Sequence, residues 1–265
     1  GNLSSIIVLA ISSREKIRHE IQIKFLKKWF KLSWLPFYPG IAGMVHSYDV
    51  VVFSLIVGSV EGIAFWTAAI LLPSLVANSG LISTAVYPKL LKDGKMDNLK
   101  TNITQIFYFA FPLSAIVIVF AKPGLFILNP IYQIAFPIVI IMTFQVVLNT
   151  LSTVFQSTLK GIETVDVDEK STFKQYIKSK LFFLPTLLLI QYSAYIILLV
   201  IMLLTAPSDS NVIDLLVNWS IILLATQIPI TICHYIMVRK NLQISLEKTI
   251  ILKYLLISIV VFGFI

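Results

Sequence analysis

Along the 265 residues, apolar runs of about 20 positions alternate with short polar breaks. At 1.5 Å of rise per helical residue, about 20 such positions cross a hydrocarbon layer roughly 30 Å thick. The complete runs fall at 33–57, 63–86, 103–121, 135–159, 181–205 and 215–238, and shorter apolar stretches stand at either end. The pattern predicts an all-α polytopic transmembrane helix bundle of about six complete spans plus a partial span at each end. Its segments are the end of a preceding transmembrane helix at 1–12, a basic amphipathic connector at 13–32, a six-helix lobe at 33–238, and a loop with the start of a truncated further helix at 239–265. Gly1 in place of Met, and terminal runs too short to cross, lead us to expect an internal fragment of a longer, transporter-sized chain.

Composition agrees with that pattern: 57% of residues are hydrophobic and 13% charged, with a mean hydropathy of +0.89, more apolar surface than a soluble domain uses. The net charge of +8 changes the picture only once it is placed along the chain. Of 21 Lys and Arg, 20 fall in the breaks 13–32, 87–102, 160–180 and 239–253, and the opposite breaks hold only Lys122. Alternation with every crossing is what the positive-inside rule produces. It predicts a multi-pass cell-membrane protein whose basic loops are cytoplasmic, and it makes the charge topological instead of a nucleic-acid footprint.

In the break at 13–32, a projection at 100° per residue gathers Ile21, Phe25, Trp29 and Leu32 on one side and Lys16, Lys24, Lys27 and Lys31 on the other. Such a helix lies on a membrane surface, with Arg14 and Arg18 snorkelling from its apolar side. A basic connector with no specific lipid partner has the same composition. A weaker surface element is expected at FKQYIKSKLF, residues 173–182, after an acidic solvated turn, GIETVDVDE, at 161–169.

Every complete span carries proline: Pro36 and Pro39, Pro73, Pro112, Pro137, Pro185, Pro229. Prolines bend membrane helices and free carbonyls for internal partners. With Asn78, Gln145, Asn149, Gln156, Gln191 and Gln227 in the spans, they suggest a partly hydrated interior, although hydrogen bonds between helices account for isolated amides equally well.

Candidate chemistry is sparse. One cysteine, Cys233, excludes an internal disulfide, and the histidines His19, His46 and His234 lie on separate elements. HExxH, Walker A and GxSxG motifs are absent, so no cofactor, metal or enzymatic activity is implied. The exception to the apolar spans is HSYDVVVFSLIVGS, residues 46–59, where His46 and Asp49 stand one helical turn apart. In projection Pro36, Gly40, Gly43, Ser47 and Ser54 form a small-residue stripe suited to a close helix contact, with His46 about 90° and Asp49 about 150° away. A carboxylate at such depth costs several kcal/mol against lipid, so its face should point into the lobe or its cavity. There it serves either as a proton or cation site tuned by His46, or as a structural hydrogen-bonding group.

The run SWLPFYPGIAGMVHSYDVVVFSLIVGSVEGIAFWTAAILLPSLVANSGLISTAVYPKLL, residues 33–91, resembles the opening of the second half of a polysaccharide-biosynthesis flippase. These Wzx-like proteins belong to the multidrug/oligosaccharidyl-lipid/polysaccharide exporter superfamily. The likeness rests on the aspartate-bearing helix, the turn GSVEG, Ala68 and Ala69 in the next helix, and Tyr87, Pro88 and Leu90, with LKGIETVD at 159–166 similar to a later helix exit. It implies a carrier that moves a lipid-linked oligosaccharide by rocking two lobes, with the missing N-terminal lobe of the same chain as partner. Family members often line the cavity with cationic side chains; here no Lys or Arg lies deep in a complete span, so no phosphate site is assigned. An ion-coupled drug or small-molecule exporter of the same superfamily is the nearer alternative, and a membrane-embedded transferase using Asp49 and His46 as an acid–base pair the more distant one.

The charge division makes a testable topology: cysteines replacing Lys95 or Lys174 are expected to resist impermeant thiol reagents in sealed cells, and cysteines at 206–214 to react. External labelling at Lys95 or Lys174 would overturn the orientation.

Overall fold

The structure, a computed structural model, describes residue 30 and residues 37–85, 97–163, 165, 173–207, 210–242 and 248–263. The amphipathic connector expected at 13–32, with Lys16, Lys24, Lys27, Trp29 and Lys31, lies outside the described residues, as does the run 1–12. The chain divides into units 1–38 and 39–265, and the second holds nearly all that follows.

Among the described residues every regular element is helical: α1 (Tyr38–Val57), α2 (Val60–Leu71), α3 (Ser74–Ala77), α4 (Asp97–Val119), α5 (Ala121–Leu128), α6 (Phe136–Gly161), α7 (Phe173–Lys178), α8 (Lys180–Thr205), α9 (Val212–Leu242) and α10 (Lys248–Phe262), with 3₁₀ turns at Asn78–Ala85 and Pro130–Ala135. Among the described residues six stretches are long and apolar enough to cross a membrane: Tyr38–Val57, Val60–Leu81, Lys100–Val119, Pro130–Gly161, Lys180–Thr205 and Val212–Leu242. The fold is an all-α polytopic bundle. Helices are the natural solution because each pairs its own backbone where no water can.

Helix α6 runs through the middle, packed along α9 and against α2, α3, α4 and α8, while α10 lies along α4. The apolar core forms two clusters at different levels of the bundle. One joins Phe53, Trp66, Ile138, Tyr195, Leu199 and Trp219; the other joins Ile103, Ile106, Phe155, Leu159, Leu184 and Val238. Between their levels α6, α8 and α9 bury polar groups: Thr150, Ser152, Gln191, Gln227, Thr231 and His234. Helix α1 differs from the rest. Among the described residues its backbone runs along no other helix extensively, and its buried residues are Ala42, Asp49 and Phe53.

Prolines act less uniformly than expected. Pro112, Pro185 and Pro229 sit inside continuous helices, whereas Pro39 and Pro137 occupy first turns, where a missing N–H costs nothing. Pro73 interrupts the helix without ending the crossing: α2 stops at Leu71, Leu72 and Pro73 keep helical dihedrals, and α3 and a 3₁₀ turn carry the span on to Leu81. The break expected at 122–134 is not a plain loop, because α5 buries Ala121 and Leu125 and Lys122 sits over the Phe136 ring at 4.4 Å. Nor is GIETVDVDE only solvated: the Glu163 carboxylate accepts the Lys180 N–H at 2.9 Å, satisfying an orphan donor and placing negative charge at the α8 N-terminus. At FKQYIKSKLF the chain forms the short α7, a break at Ser179, and the start of α8.

Two glycines shape the α1–α2 corner. Gly58 turns the chain at φ 67°, a conformation that costs other residues roughly 1 kcal/mol or more. At Gly62 an added Cβ would stand 2.9 Å from Phe53 ring carbons and from Val212 Cγ1, so glycine lets α2 close on both α1 and α9. Gly62→Val is therefore expected to lower stability by about 1–3 kcal/mol in detergent unfolding measurements; an unchanged midpoint would show that the corner is slack.

Candidate functional site

Asp49 is 4% exposed, and its two oxygens have different partners. Oδ1 accepts the Val50 N–H at 2.7 Å. Oδ2 accepts the Tyr195 hydroxyl at 3.0 Å, and that phenolic oxygen in turn accepts the Trp219 indole N–H. One line of hydrogen bonds thus ties α1 to α8 and α8 to α9. The indole can only donate, so it holds the phenolic proton on the carboxylate side. Asp49 lies about 12 Å from the end of α1, and Tyr195 and Trp219 lie about 15 and 10 Å from the matching ends of α8 and α9, so the three meet at one depth.

Aromatic rings enclose this line. Trp66 of α2 stacks on Trp219 with centroids 3.9 Å apart and planes 8° off parallel, and Phe53 stacks on the same indole at 5.1 Å. His46 stacks on Tyr195 at 5.6 Å and meets Tyr192 edge-on at 4.7 Å. Its Nδ1 lies 3.9 Å from Asp49 Oδ2, and its side chain is 35% exposed while that of Asp49 is 6% exposed. The imidazole is therefore the accessible member of the group and the carboxylate the enclosed one.

Nearer the other ends of α8 and α9 lies the polar layer. Gln191 Nε2 donates to Gln227 Oε1 at 2.9 Å, Gln227 Nε2 donates to Thr231 Oγ1 at 3.2 Å, and the Thr231 hydroxyl lies 3.3 Å from the Leu148 carbonyl of α6. Ser152 Oγ and His234 Nδ1 are 2.8 Å apart, again joining α6 to α9. His234 Nε2 and Gln191 Oε1 have no hydrogen-bond partner among the described residues. Of the amides noted in the sequence, Gln191 and Gln227 thus bond between helices, while Asn78 and Asn149 are exposed.

The sequence brought out Asp49 and His46, and the structure places them together, with Asp49 inside and His46 at the edge. It did not bring out Tyr195 or Trp219, the groups that hold the carboxylate; no local pattern marks them. The small-residue stripe Gly40, Gly43, Ser47 and Ser54 is exposed, and nothing lies within 4 Å of a Cβ built at Gly40 or Gly43. Cys233 is half-buried. Among the described residues no three His, Cys, Asp or Glu gather as a metal site would require. No family model, no curated protein and no solved structure matches the chain.

Proposed function

We propose that this bundle is one lobe of an alternating-access membrane carrier, and that protonation of Asp49 biases the lobe between its states. The hydrogen-bonded line Asp49–Tyr195–Trp219 carries the reading. Ionised, the carboxylate is an acceptor only and matches the phenolic donor aimed at it. A proton on Oδ2 would face the phenolic proton, which the Trp219 N–H keeps from turning away, so protonation loosens the bond between α1 and α8. Because α1 runs along no other described helix extensively, weakening that bond is a direct way to let it move.

The cargo we propose is a lipid-linked oligosaccharide, from the resemblance of residues 33–91 to polysaccharide-biosynthesis flippases, with a second lobe completing the cavity. The resemblance is one of order and spacing, and six apolar crossings suit that architecture. An ion-coupled exporter would use the same carboxylate, so the assay has to separate the two. In reconstituted whole protein, Asp49→Asn is expected to insert at near-normal abundance and to lower lipid-linked sugar turnover about tenfold or more. Normal turnover in a well-expressed variant would contradict the role of Asp49. Drug efflux from the same vesicles without sugar turnover would replace the cargo, and loss of the protein itself would make Asp49 a structural group.

A further inference from the structure

Helices α4 and α10 run in the same direction side by side, and the space between them changes character along its length. At the end where both helices begin is an open cleft of about 360 Å³, lined by Lys100, Thr104, Gln105, Tyr108 and Tyr254. Tyr108 and Tyr254 meet there edge-on, with centroids 5.3 Å apart. Among the described residues no carboxylate pairs with Lys100. One turn further on, a groove of about 330 Å³ opens between Phe111, Ala115 and Ile118 of α4 and Leu255, Ile259 and Phe262 of α10. Its wall is almost wholly apolar, apart from Ser258, whose hydroxyl donates to the Tyr254 carbonyl, and Ser114, whose buried Oγ has no partner among the described residues.

We propose that this pair of sites binds one anionic phospholipid of the bilayer, with its phosphate in the cleft beside Lys100 and an acyl chain in the groove. Three features of the helix pair select that occupant. The cleft offers a cation with hydroxyl and amide donors, the complement of a phosphodiester. The groove runs from Phe111 to Val119 on α4 and from Leu255 to Gly263 on α10, about 12 Å of helix on each, close to the roughly 15 Å hydrocarbon depth of one leaflet. Polar and apolar parts follow each other along one helix pair, as headgroup and chain follow each other in a lipid. A soluble phosphate would leave the groove empty, and a neutral lipid would leave Lys100 unanswered. Ser114 supplies a donor inside the otherwise apolar wall. The bound lipid is a structural ligand that joins α10 to α4, separate from anything the bundle transports.

The purified chain, titrated in detergent with phosphatidylglycerol or phosphatidylcholine of identical acyl chains and read by native mass spectrometry, tests this directly. Phosphatidylglycerol is expected to be retained about fivefold better than phosphatidylcholine, the weight of one lysine near an anionic headgroup. Lys100→Gln should erase that preference, while Ala115→Phe, which fills the groove, should weaken both lipids. Ala115→Leu serves the same purpose if the larger side chain prevents folding, as judged by thermal unfolding without lipid. Equal retention of the two lipids by the native chain would overturn the proposal, as would a preference that survives Lys100→Gln, or displacement of phosphatidylglycerol by inorganic phosphate alone.

Discussion

A carboxylate enclosed among apolar helices must find its hydrogen bonds inside the protein, and the position of α1 follows from how Asp49 does so. Tyr195 reaches it from α8, and Trp219 of α9 fixes the direction of that phenol. Trp66 and Phe53 then stack on the same indole, so a polar bond sets where four elements place their largest side chains. Gly62 is the steric counterpart of this arrangement, since anything larger would push against Phe53 and Val212.

The rest of the bundle obeys the same constraint by other means. Helices α6, α8 and α9 bury amides and hydroxyls where the two apolar clusters meet, and Gln191–Gln227, Thr231–Leu148 and Ser152–His234 bond across helix pairs. Bonds of this kind contribute about 1 kcal/mol each inside a membrane. They join helices whose backbones already lie close. The bond to α1 joins a helix with few backbone contacts among the described residues, which is the observation behind the proposed role of Asp49.

Much of the fold is legible in the chain because a bilayer imposes one length on every crossing, and all six expected spans overlap helices of that length. Prolines were legible as residues but not as consequences: Pro73 breaks a helix, while Pro112, Pro185 and Pro229 are carried within one. Lys122, Pro123 and Gly124 fall in a break between expected spans, yet they lie in the first turn of α5, because burying Leu125 against its neighbours outweighs local preference. Asp49 stood out since a carboxylate is conspicuous in an apolar run. Its partners did not, because Tyr195 lies 146 residues away and one tyrosine among 10 carries no local mark of a buried acceptor. The Glu163 contact with the start of α8 was hidden for the same reason, as the two stand 17 positions apart and the turn at 161–169 read as solvated.

The most direct measurement is a double-mutant cycle on the interaction that holds α1. Asp49→Asn and Tyr195→Phe, alone and together, are followed by reversible unfolding in mild detergent. If the carboxylate and the phenol bond as the geometry shows, the two effects couple by about 1 kcal/mol or more, within the range for hydrogen bonds to charged groups and between membrane helices. Effects that simply add, within roughly 0.3–0.5 kcal/mol, would contradict the bond and with it the placement of α1.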